Sequence, residues 1–469
     1  MSNSELPSSL QYSASKASLR INRFQVRPNS SDGGGPGSTF RFNLPSKSLI
    51  DVSSLALAFD VTVTGLDNTA NANYSNVKMP HGHKLFSSVK FYVGGQIVSG
   101  SLCTNTYDIL YNTLVKASCG EDWVNSRMNS HAVELIRQGD DLTALIVQPG
   151  ATSKVASYIV DDFLGLPRGN GTGRSIIDTS LWGNVDVEVV MNHEGAFAQY
   201  GTGAAGGVAL GGMTYAVSAM ECFVNVITQT TPLYVKLLTM LISQKEGQIR
   251  FPYQNFITNV ASSGSNARFQ VNTNCLDAIV LAPLTQSYSL PHGVTGALTG
   301  PNITAATKLS ATRYEYDSGL DCNALATPKG RALSIQIGSE TFPKLPIANA
   351  LHVSDITNNS LFASSLYSQN LLFNDISAGA ANGTVLYSRN AFLNENFIWV
   401  QSFSPDGEGW STKVLTGIDT QNNNLEIVVN HNAIVPVNGA VPAGNLFMGA
   451  LCTSMLVFDC QSGSISVVQ

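Results

Sequence analysis

A weak internal repeat constrains the fold of this 469-residue chain more than any other sequence feature. The segment 187–194 (VEVVMNHE) resembles the segment 425–432 (LEIVVNHN), and both carry an Asn-His pair directly after an apolar alternation. The alignment matches Glu188, Asn192 and His193 with Glu426, Asn430 and His431. A repeat at this long spacing indicates duplication of a whole domain, because the units of solenoid proteins are far shorter.

Three further matches keep the same order along the chain. They pair Ile177-Asp178-Thr179 with Ile418-Asp419-Thr420, the segment 89–94 with 333–338, and Phe40-Arg41-Phe42 with Ile249-Arg250-Phe251. A longer loop in the second copy, at about 283–330 and rich in Gly, Pro, Thr and Ser, accounts for the unequal spacing of the matches. The repeat therefore predicts two similar domains in tandem, with their boundary near 229–234.

The residue pattern inside the repeats is typical of antiparallel strands. Val89, Phe91 and Val93 alternate with more polar residues, and Gly94-Gly95 follows them. Two glycines at this place predict a hairpin with a type I′ turn, because both central positions of that turn need positive φ. The alternation over 185–191 predicts a strand with one face in the core and one face in water.

Two segments have helical periodicity. A first stripe consists of Tyr107, Leu110, Tyr111 and Leu114, and Thr104 is its candidate N-cap. A second stripe runs through 126–137. A parallel α/β fold would need a helix after nearly every strand, so two short helices do not support one.

The predicted fold class is all-β: two tandem eight-stranded jelly-roll β-sandwiches with a few short helices in inserted loops. We expect the first jelly roll to span 38–228 and the second 232–469, with a strand around 451–460 completing the second. Residues 1–37 are rich in Ser and Asn and end in a glycine-rich stretch. They are predicted to form a flexible N-terminal arm.

Composition argues against several classes of protein. Charged residues make up 12% of the chain, and 26 Lys+Arg against 32 Asp+Glu give a net charge of −6, so the chain lacks the basic field of a nucleic-acid-binding protein. No apolar run of about 20 residues predicts a membrane span, and the first residues have no apolar core of a secretion signal. The seven cysteines are scattered, which favours reduced and buried thiols.

No catalytic, cofactor-binding or metal site is predicted, and no cofactor is expected. His81 and His83 form a His-Gly-His segment, but no cluster of further ligands stands at a recognisable spacing from it, so a loop entering a strand is favoured. His193 and His431 recur after equivalent strands. A catalytic histidine would not need to be duplicated with its strand, so we interpret both as structural.

The acidic residues are interpreted in the same way. Asp178 and Asp419, each between Ile and Thr, are predicted to be turn residues whose side chains bind nearby backbone amides. Asp161-Asp162 and the acidic stretch 315–321 are candidates for Ca²⁺ binding at a subunit contact, the weaker alternative to a surface role. The segment 169–174 (GNGTGR) lacks the Gly-Lys-Ser/Thr ending of a phosphate loop, which favours a surface loop.

Several local patterns, in order, resemble those of one protein family. The segments that carry the resemblance are 86–96, 107–115, 164–190, 247–253 and 334–343. In them the sequence resembles the double jelly-roll major capsid proteins of tailless icosahedral DNA viruses, most of all those of the virophage and polinton-like group. The resemblance covers about 38–465, whereas the arm and the 283–330 loop match nothing in the family.

The resemblance implies a major capsid protein without enzymatic activity. Three chains would form a homotrimer whose six jelly rolls make a pseudo-hexagonal capsomer, and capsomers would form an icosahedral shell around a DNA genome. The implied partners are other copies of the chain, neighbouring capsomers, and penton and minor capsid proteins. The arm would contact an internal membrane or a neighbouring subunit. We expect the protein in the virion, assembled inside the host cell, without sequence-specific nucleic-acid binding.

Three alternatives stay open at this point. A carbohydrate-binding β-sandwich, acting as a surface or attachment protein, would need exposed aromatic residues on its loops. A β-sandwich hydrolase would need a catalytic site. A single jelly-roll or minor capsid protein at a vertex would contain one barrel per chain or assemble with fivefold symmetry.

Overall fold

The computed structural model describes most of two β-sandwiches. The described residues are 19–64, 74–78, 80, 82–103, 105–118, 153–168, 175–202, 214–229, 239–240, 243, 248–262, 266–284, 333–347, 398–403, 417–421, 426–430 and 445–468. The predicted second helix at 126–137 and the loop at 169–174 lie outside them, as does the predicted 283–330 loop apart from Pro283 and Leu284, the last residues of a strand.

The described residues of the first half contain eleven strands, of which nine form the two sheets of the first sandwich and two, the fourth and the tenth, form a separate two-stranded sheet. They are β1 (Leu19–Val26), β2 (Thr39–Asn43), β3 (Leu49–Thr64), β4 (Tyr74–Lys78), β5 (Phe86–Val93), β6 (Gln96–Ser99), β7 (Ser153–Val160), β8 (Ile176–Asp178), β9 (Val185–Met191), β10 (Ala198–Thr202) and β11 (Thr214–Gln229). Helix α1 (Tyr107–Ser118) and two short 3-10 helices (Gly82–Leu85 and Glu194–Ala196) accompany them.

The second sandwich is built from the remaining described strands. They are β12 (Gln248–Ser262), β13 (Asn266–Gln270), β14 (Leu276–Leu284), β15 (Leu333–Ile337), β16 (Glu340–Ile347), β17 (Trp399–Ser402), β18 (Glu426–Asn430), β19 (Asn445–Asp459) and β20 (Ile465–Val468). Strand β19 pairs with both β12 and β14, so the strand predicted around 451–460 completes this sandwich.

The two sandwiches have the same topology. In the first, one sheet has the order β1-β11-β3-β7 and the other β2-β9-β5-β6; in the second, the orders are β12-β19-β14-β17 and β13-β18-β15-β16. These two sheets contain eight principal strands in each sandwich. When the eight are numbered 1 to 8 along the chain, the sheets of both halves have the strand orders 1-8-3-6 and 2-7-4-5. This is an eight-stranded jelly roll made twice, as the repeat predicts.

Buried side chains join the two sheets of the first sandwich. Strand β9 buries Val185, Val187 and Val189 on one face, as the alternation predicts. The ring centroids of Phe59 on β3 and Phe86 on β5 lie 5.7 Å apart across the two sheets. The core is therefore formed by the facing sides of both sheets.

The hairpin predicted at the double glycine is present. Strands β5 and β6 pair across it, and Gly94 and Gly95 have φ of 57° and 84°. Positive φ at both central positions is the geometry of a type I′ turn, which a residue with a Cβ adopts only at a cost. Gly338 stands at the equivalent turn between β15 and β16, with φ of 61°.

The structure corrects the prediction of an arm over residues 1–37. Residues 19–26 form β1, the first strand of the first sandwich, paired along its whole length with β11 from Leu19↔Gln229 to Val26↔Cys222. Residues 1–18 lie outside the described part of the chain. Polar and apolar residues of β1 alternate over 19–22 and again over 23–26, but the phase changes between the two runs, and β1 lies at a sheet edge with residues 20–25 exposed, so the pattern does not mark a strand with one buried face.

One of the four repeat matches is also wrong. Phe40-Arg41-Phe42 belongs to β2, whose counterpart is β13 with Ala267-Arg268-Phe269, whereas the segment 249–251 lies on β12, the counterpart of β1. An ion pair joins each of these strands to its neighbour. Arg41 Nη2 lies 2.7 Å from Asp186 Oδ2 across β2 and β9, and Arg268 Nη1 lies 3.1 Å from Glu426 Oε2 across β13 and β18.

Candidate functional site at the junction of the two sandwiches

Helix α1 lies between the two sandwiches. The apolar stripe predicted from the sequence, Tyr107, Leu110, Tyr111 and Leu114, is buried. Asp108, Asn112 and Thr113, on the other sides of the helix, are buried as well. Over residues 107–114 the helix is therefore buried on all sides, and the structure that covers it comes from both halves of the chain.

The second sandwich contacts α1 through its strands β12, β14 and β19. The rings of Tyr107 and Phe256 lie 5.8 Å apart between centroids. A Cβ placed on Gly449 would lie 2.5 Å from Leu110 Cδ1, which is closer than two carbon atoms can approach. Position 449 therefore allows the helix to lie directly against the sheet because it has no side chain.

Hydrogen bonds continue the junction beyond the helix. Tyr253 donates its hydroxyl to the carbonyl of Val98 at 2.6 Å, and the backbone amide of Gln254 donates to the carbonyl of Arg168 at 3.0 Å. Each bond joins β12 to a different part of the first sandwich, so the relative position of the halves is fixed by directional contacts as well as by packing.

A pair of threonines forms a further hydrogen bond between the two halves. Thr106 Oγ1 donates to Thr258 Oγ1 at 2.6 Å, and the amide of Thr258 donates to the carbonyl of Leu102 at 3.2 Å. Both threonine side chains are buried. Burial also raises the pKa of the neighbouring Cys103 thiol and, further along the junction, the pKa values of the Tyr107 and Tyr253 hydroxyls, so these groups stay protonated and neutral.

The chain is similar to known proteins in structure but not in sequence. No protein-family model and no curated protein matches the sequence. The PBCV-1 virus capsid structure aligns with a TM-score of 0.55 and 11% identity over 97% of each chain. The Faustovirus major capsid protein aligns with 0.52 and 9%, over 94% of this chain and 90% of its own. The Sputnik virophage structure aligns with 0.50 and 11%, over 96% and 88%.

These alignments extend over both sandwiches, which share one strand order. The chain is a double jelly-roll protein. At identities of 9–11% the likeness establishes the fold alone, and the contacts of the junction are those of this chain's own side chains. The double jelly roll accordingly confirms the fold class predicted from the sequence.

The paired aspartates of the double jelly roll are turn residues, as predicted. Asp178 Oδ1 accepts the amide of Ser180 at 2.9 Å, and Asp419 Oδ1 accepts the amide of Gln421 at 3.0 Å. The same short turn is therefore built at equivalent places in both halves.

The threonine after each aspartate repeats as well. Thr179 Oγ1 accepts the amide of Ser48 at 2.8 Å, and Thr420 Oγ1 accepts the amide of Thr273 at 3.1 Å. Thr420 also donates to the carbonyl of Val271 at 2.6 Å. Each threonine ties its turn to the chain that enters the third strand of its own jelly roll.

The histidines fall into structural positions within the described residues. His83 is fully buried, stacked on Tyr111 with ring centroids 3.6 Å apart, and its Nε2 lies 2.6 Å from the carbonyl oxygen of Asp161. His193 precedes the 3-10 helix Glu194–Ala196, and its amide donates to Asn192 Oδ1 at 2.8 Å. His81 and His431 lie outside the described residues.

Of the matched asparagines, Asn192 contributes to the packing of α1. Asn192 Nδ2 donates to Asp108 Oδ2 at 2.8 Å and to the carbonyl of Lys84 at 2.9 Å. Asn430, matched to it in the repeat, donates to Ser334 Oγ at 3.2 Å between β18 and β15. Sequence comparison places the two asparagines together, but their partners differ, because among the described residues a helix, α1, lies beside the first only.

The acidic candidates for Ca²⁺ are only partly visible. Asp162 Oδ2 lies 3.0 Å from Arg168 Nη2, which neutralises its charge beside the junction. The stretch 315–321 lies outside the described residues. The described part of the chain contains no group of three or more His, Cys, Asp or Glu that could hold a metal ion, and no helix long and apolar enough to cross a membrane.

Proposed function

We propose that this chain is a major capsid protein, a structural subunit without enzymatic activity. The observation that carries the proposal is the duplication: one chain contains two jelly rolls of identical strand order, held together by a buried junction. The solved structures that share this architecture over nearly their whole length are those of capsid proteins or virus particles.

The proposed assembly is a homotrimer that forms a pseudo-hexagonal capsomer. Two equivalent sandwiches per chain give six in a trimer, and a tile with six similar sides can contact six neighbours in nearly equivalent ways. Such capsomers would form an icosahedral shell around a DNA genome. A minor capsid protein with a single jelly roll is not supported, because this chain contains two.

Further partners are part of the same proposal. Neighbouring capsomers would contact the outer sides of the trimer, and penton and minor capsid proteins would fill the vertices and seams. The segment before β1 is proposed to contact a neighbouring subunit or an internal membrane. The protein would accumulate in the virion after assembly inside the host cell.

The test is the assembly state of the purified full-length chain. Size-exclusion chromatography with light scattering should give the mass of three chains, and negative-stain images should show hexagonal tiles or closed shells. A stable monomer that forms neither trimers nor particles over a wide range of concentration and ionic strength would overturn the proposal.

A further inference from the structure

The second jelly roll has a strand that its eight-strand pattern does not need. Strand β20 follows β19, the last principal strand, whereas no described strand of the first jelly roll follows β11, the equivalent of β19. Strand β14 pairs with β19 over residues 445–452, and β20 pairs with β19 over residues 455–458. Strand β20 is therefore an addition at the end of β19 that β14 does not reach.

The hairpin of β19 and β20 contacts the first jelly roll. A Cβ placed on Gly94, in the turn between β5 and β6, would lie 3.0 Å from Ile465 Cδ1. Phe458, the residue of β19 that pairs with Ile465, has its ring edge-on to Trp182, with ring centroids 5.9 Å apart. Trp182 and Phe458 are both buried. A buried aromatic pair in this geometry stabilises the contact beyond the apolar area that it covers.

The part of the first jelly roll that receives this hairpin is itself tightly packed. The amide of Gly94 donates to the carbonyl of Asn184 at 2.9 Å. A Cβ placed on Gly183 would lie 3.1 Å from the Cα of Gly94, so the turn lies directly on the loop that contains Trp182. Because Ile465 contacts the same turn, three segments from distant parts of the chain are in mutual contact there.

The turn between β19 and β20 holds β20 in a defined position. Asp459 Oδ1 accepts the amide of Gln461 at 2.9 Å, and its Oδ2 accepts the hydroxyl of Ser462 at 2.7 Å. The amide of Gly463 donates to the carbonyl of Asp459 at 2.8 Å, and Gly463 has a φ of 66°. A turn fixed by its own hydrogen bonds lowers the conformational entropy that is lost when Ile465 contacts the first jelly roll.

We propose that the β19-β20 hairpin is a clasp that fixes the orientation of the first jelly roll relative to the second. Helix α1 contacts β19 at Gly449, and the clasp contacts the first jelly roll at Phe458. Nine residues of a strand separate these positions by about 30 Å, at about 3.3 Å per residue. Two attachments this far apart resist a rotation that either one alone would allow. Such a clasp would operate in any assembly state of the chain, so it goes beyond the proposed function.

The test is hydrogen exchange of the full-length chain, measured by mass spectrometry. Ile465→Ser should make the amides of residues 91–99, in the first jelly roll, exchange about 10-fold faster, because the turn loses its cover. The protection of residues 107–114 in α1 should not change. The matched control is Val468→Ser, on the same strand, whose side chain is 42% exposed; it should leave both segments unchanged.

The outcomes distinguish a clasp from a strand that only covers the edge of β19. If Ile465→Ser speeds exchange within residues 455–468 and leaves residues 91–99 as they are, β20 serves its own jelly roll and the clasp is overturned. If Ile465→Ser does not fold by circular dichroism, Ile465→Ala introduces no polar group and carries the same test. Exchange about 3-fold faster at residues 91–99 then supports the clasp, and unchanged exchange overturns it.

Discussion

Thr106 and Thr258, separated by 152 residues in the sequence, share a 2.6 Å hydrogen bond between their hydroxyls at the buried junction of the two jelly rolls. Thr106 precedes α1 and Thr258 lies on β12, so the bond joins a helix inserted in one half to a strand of the other. Removing one hydroxyl breaks this hydrogen bond, so substitutions of the two threonines can measure what the bond contributes to stability.

The threonine pair predicts a non-additive effect on stability. Thr106→Val or Thr258→Val alone should lower the free energy of unfolding by about 1–3 kcal/mol, because the remaining buried hydroxyl loses its shortest hydrogen bond. The double variant should cost less than the sum of the two. Urea unfolding of the four proteins measures the coupling, with the exposed Thr39→Val as a control that should change stability little. Additive losses would show that the two hydroxyls do not act as a pair.

Gly449 predicts a steric test of the helix position. Gly449→Ala should destabilise the fold by about 1–3 kcal/mol, since the new methyl group would meet Leu110. Leu110→Ala alone should cost about 2–5 kcal/mol through the cavity it leaves. The combination should be more stable than the sum of the single losses predicts, because the added methyl fills part of that cavity. Thermal unfolding of the set provides the measurement, and strict additivity would contradict the contact.

Thr179 and Thr420, the threonines of the duplicated turns, predict similar losses of stability when either is replaced. Thr179→Val and Thr420→Val should each cost about 1–3 kcal/mol, because the amide of the part-buried Ser48 in one half and of the buried Thr273 in the other loses its side-chain acceptor. Thr179→Ser and Thr420→Ser retain the hydroxyl and should restore most of that stability. Denaturant unfolding of the four variants checks this, and a loss confined to one half would show that the two turns are not equivalent.

Asp277 predicts that stability depends on pH. Burial raises the pKa of this carboxyl to about 6, although Thr453 and Cys275 donate hydrogen bonds to it. Because the folded pKa lies above the unfolded one, the folded state binds the proton more tightly. This contribution is complete below about pH 4 and is lost as the pH rises through about 6, a total of about 3 kcal/mol.

The matched variant for this test is Asp277→Asn. The amide does not titrate, so the difference in unfolding free energy between the variant and the unmodified chain should shift in favour of the variant as the pH rises from about 4 to about 7. Urea unfolding at a series of pH values gives this difference. A difference that is constant over that range would show that Asp277 does not titrate there.

The sequence predicts the parts of the fold that local chemistry determines. Gly94-Gly95 predicts its hairpin because the turn requires positive φ, and Asp178 and Asp419 predict their turns because the side chain reaches an amide two residues away. The alternation on β9 predicts its buried face because successive side chains of a strand point to opposite faces of the sheet. In each case the residues that determine the feature lie within a few positions of one another in the sequence.

The junction could not be predicted because its contacts depend on the packing of distant segments. Tyr253 and Val98 are 155 residues apart, and neither has a neighbour in the sequence that marks it as a contact. Strand β1 was not predicted for a related reason: its pairing with β11 is long-range, and the alternation of its residues changes phase between Asn22 and Arg23. The false match of Phe40-Arg41-Phe42 to 249–251 arose because an Arg-Phe pair occurs on both β12 and β13.

In each jelly roll the last principal strand is inserted between the first and the third, so that β11 separates β1 from β3 and β19 separates β12 from β14. A chain that ends before β11 therefore leaves the facing edges of β1 and β3 unpaired at once, and a chain that ends before β19 does the same to β12 and β14. Unpaired strand edges pair readily with other chains, so truncation at either place would favour aggregation.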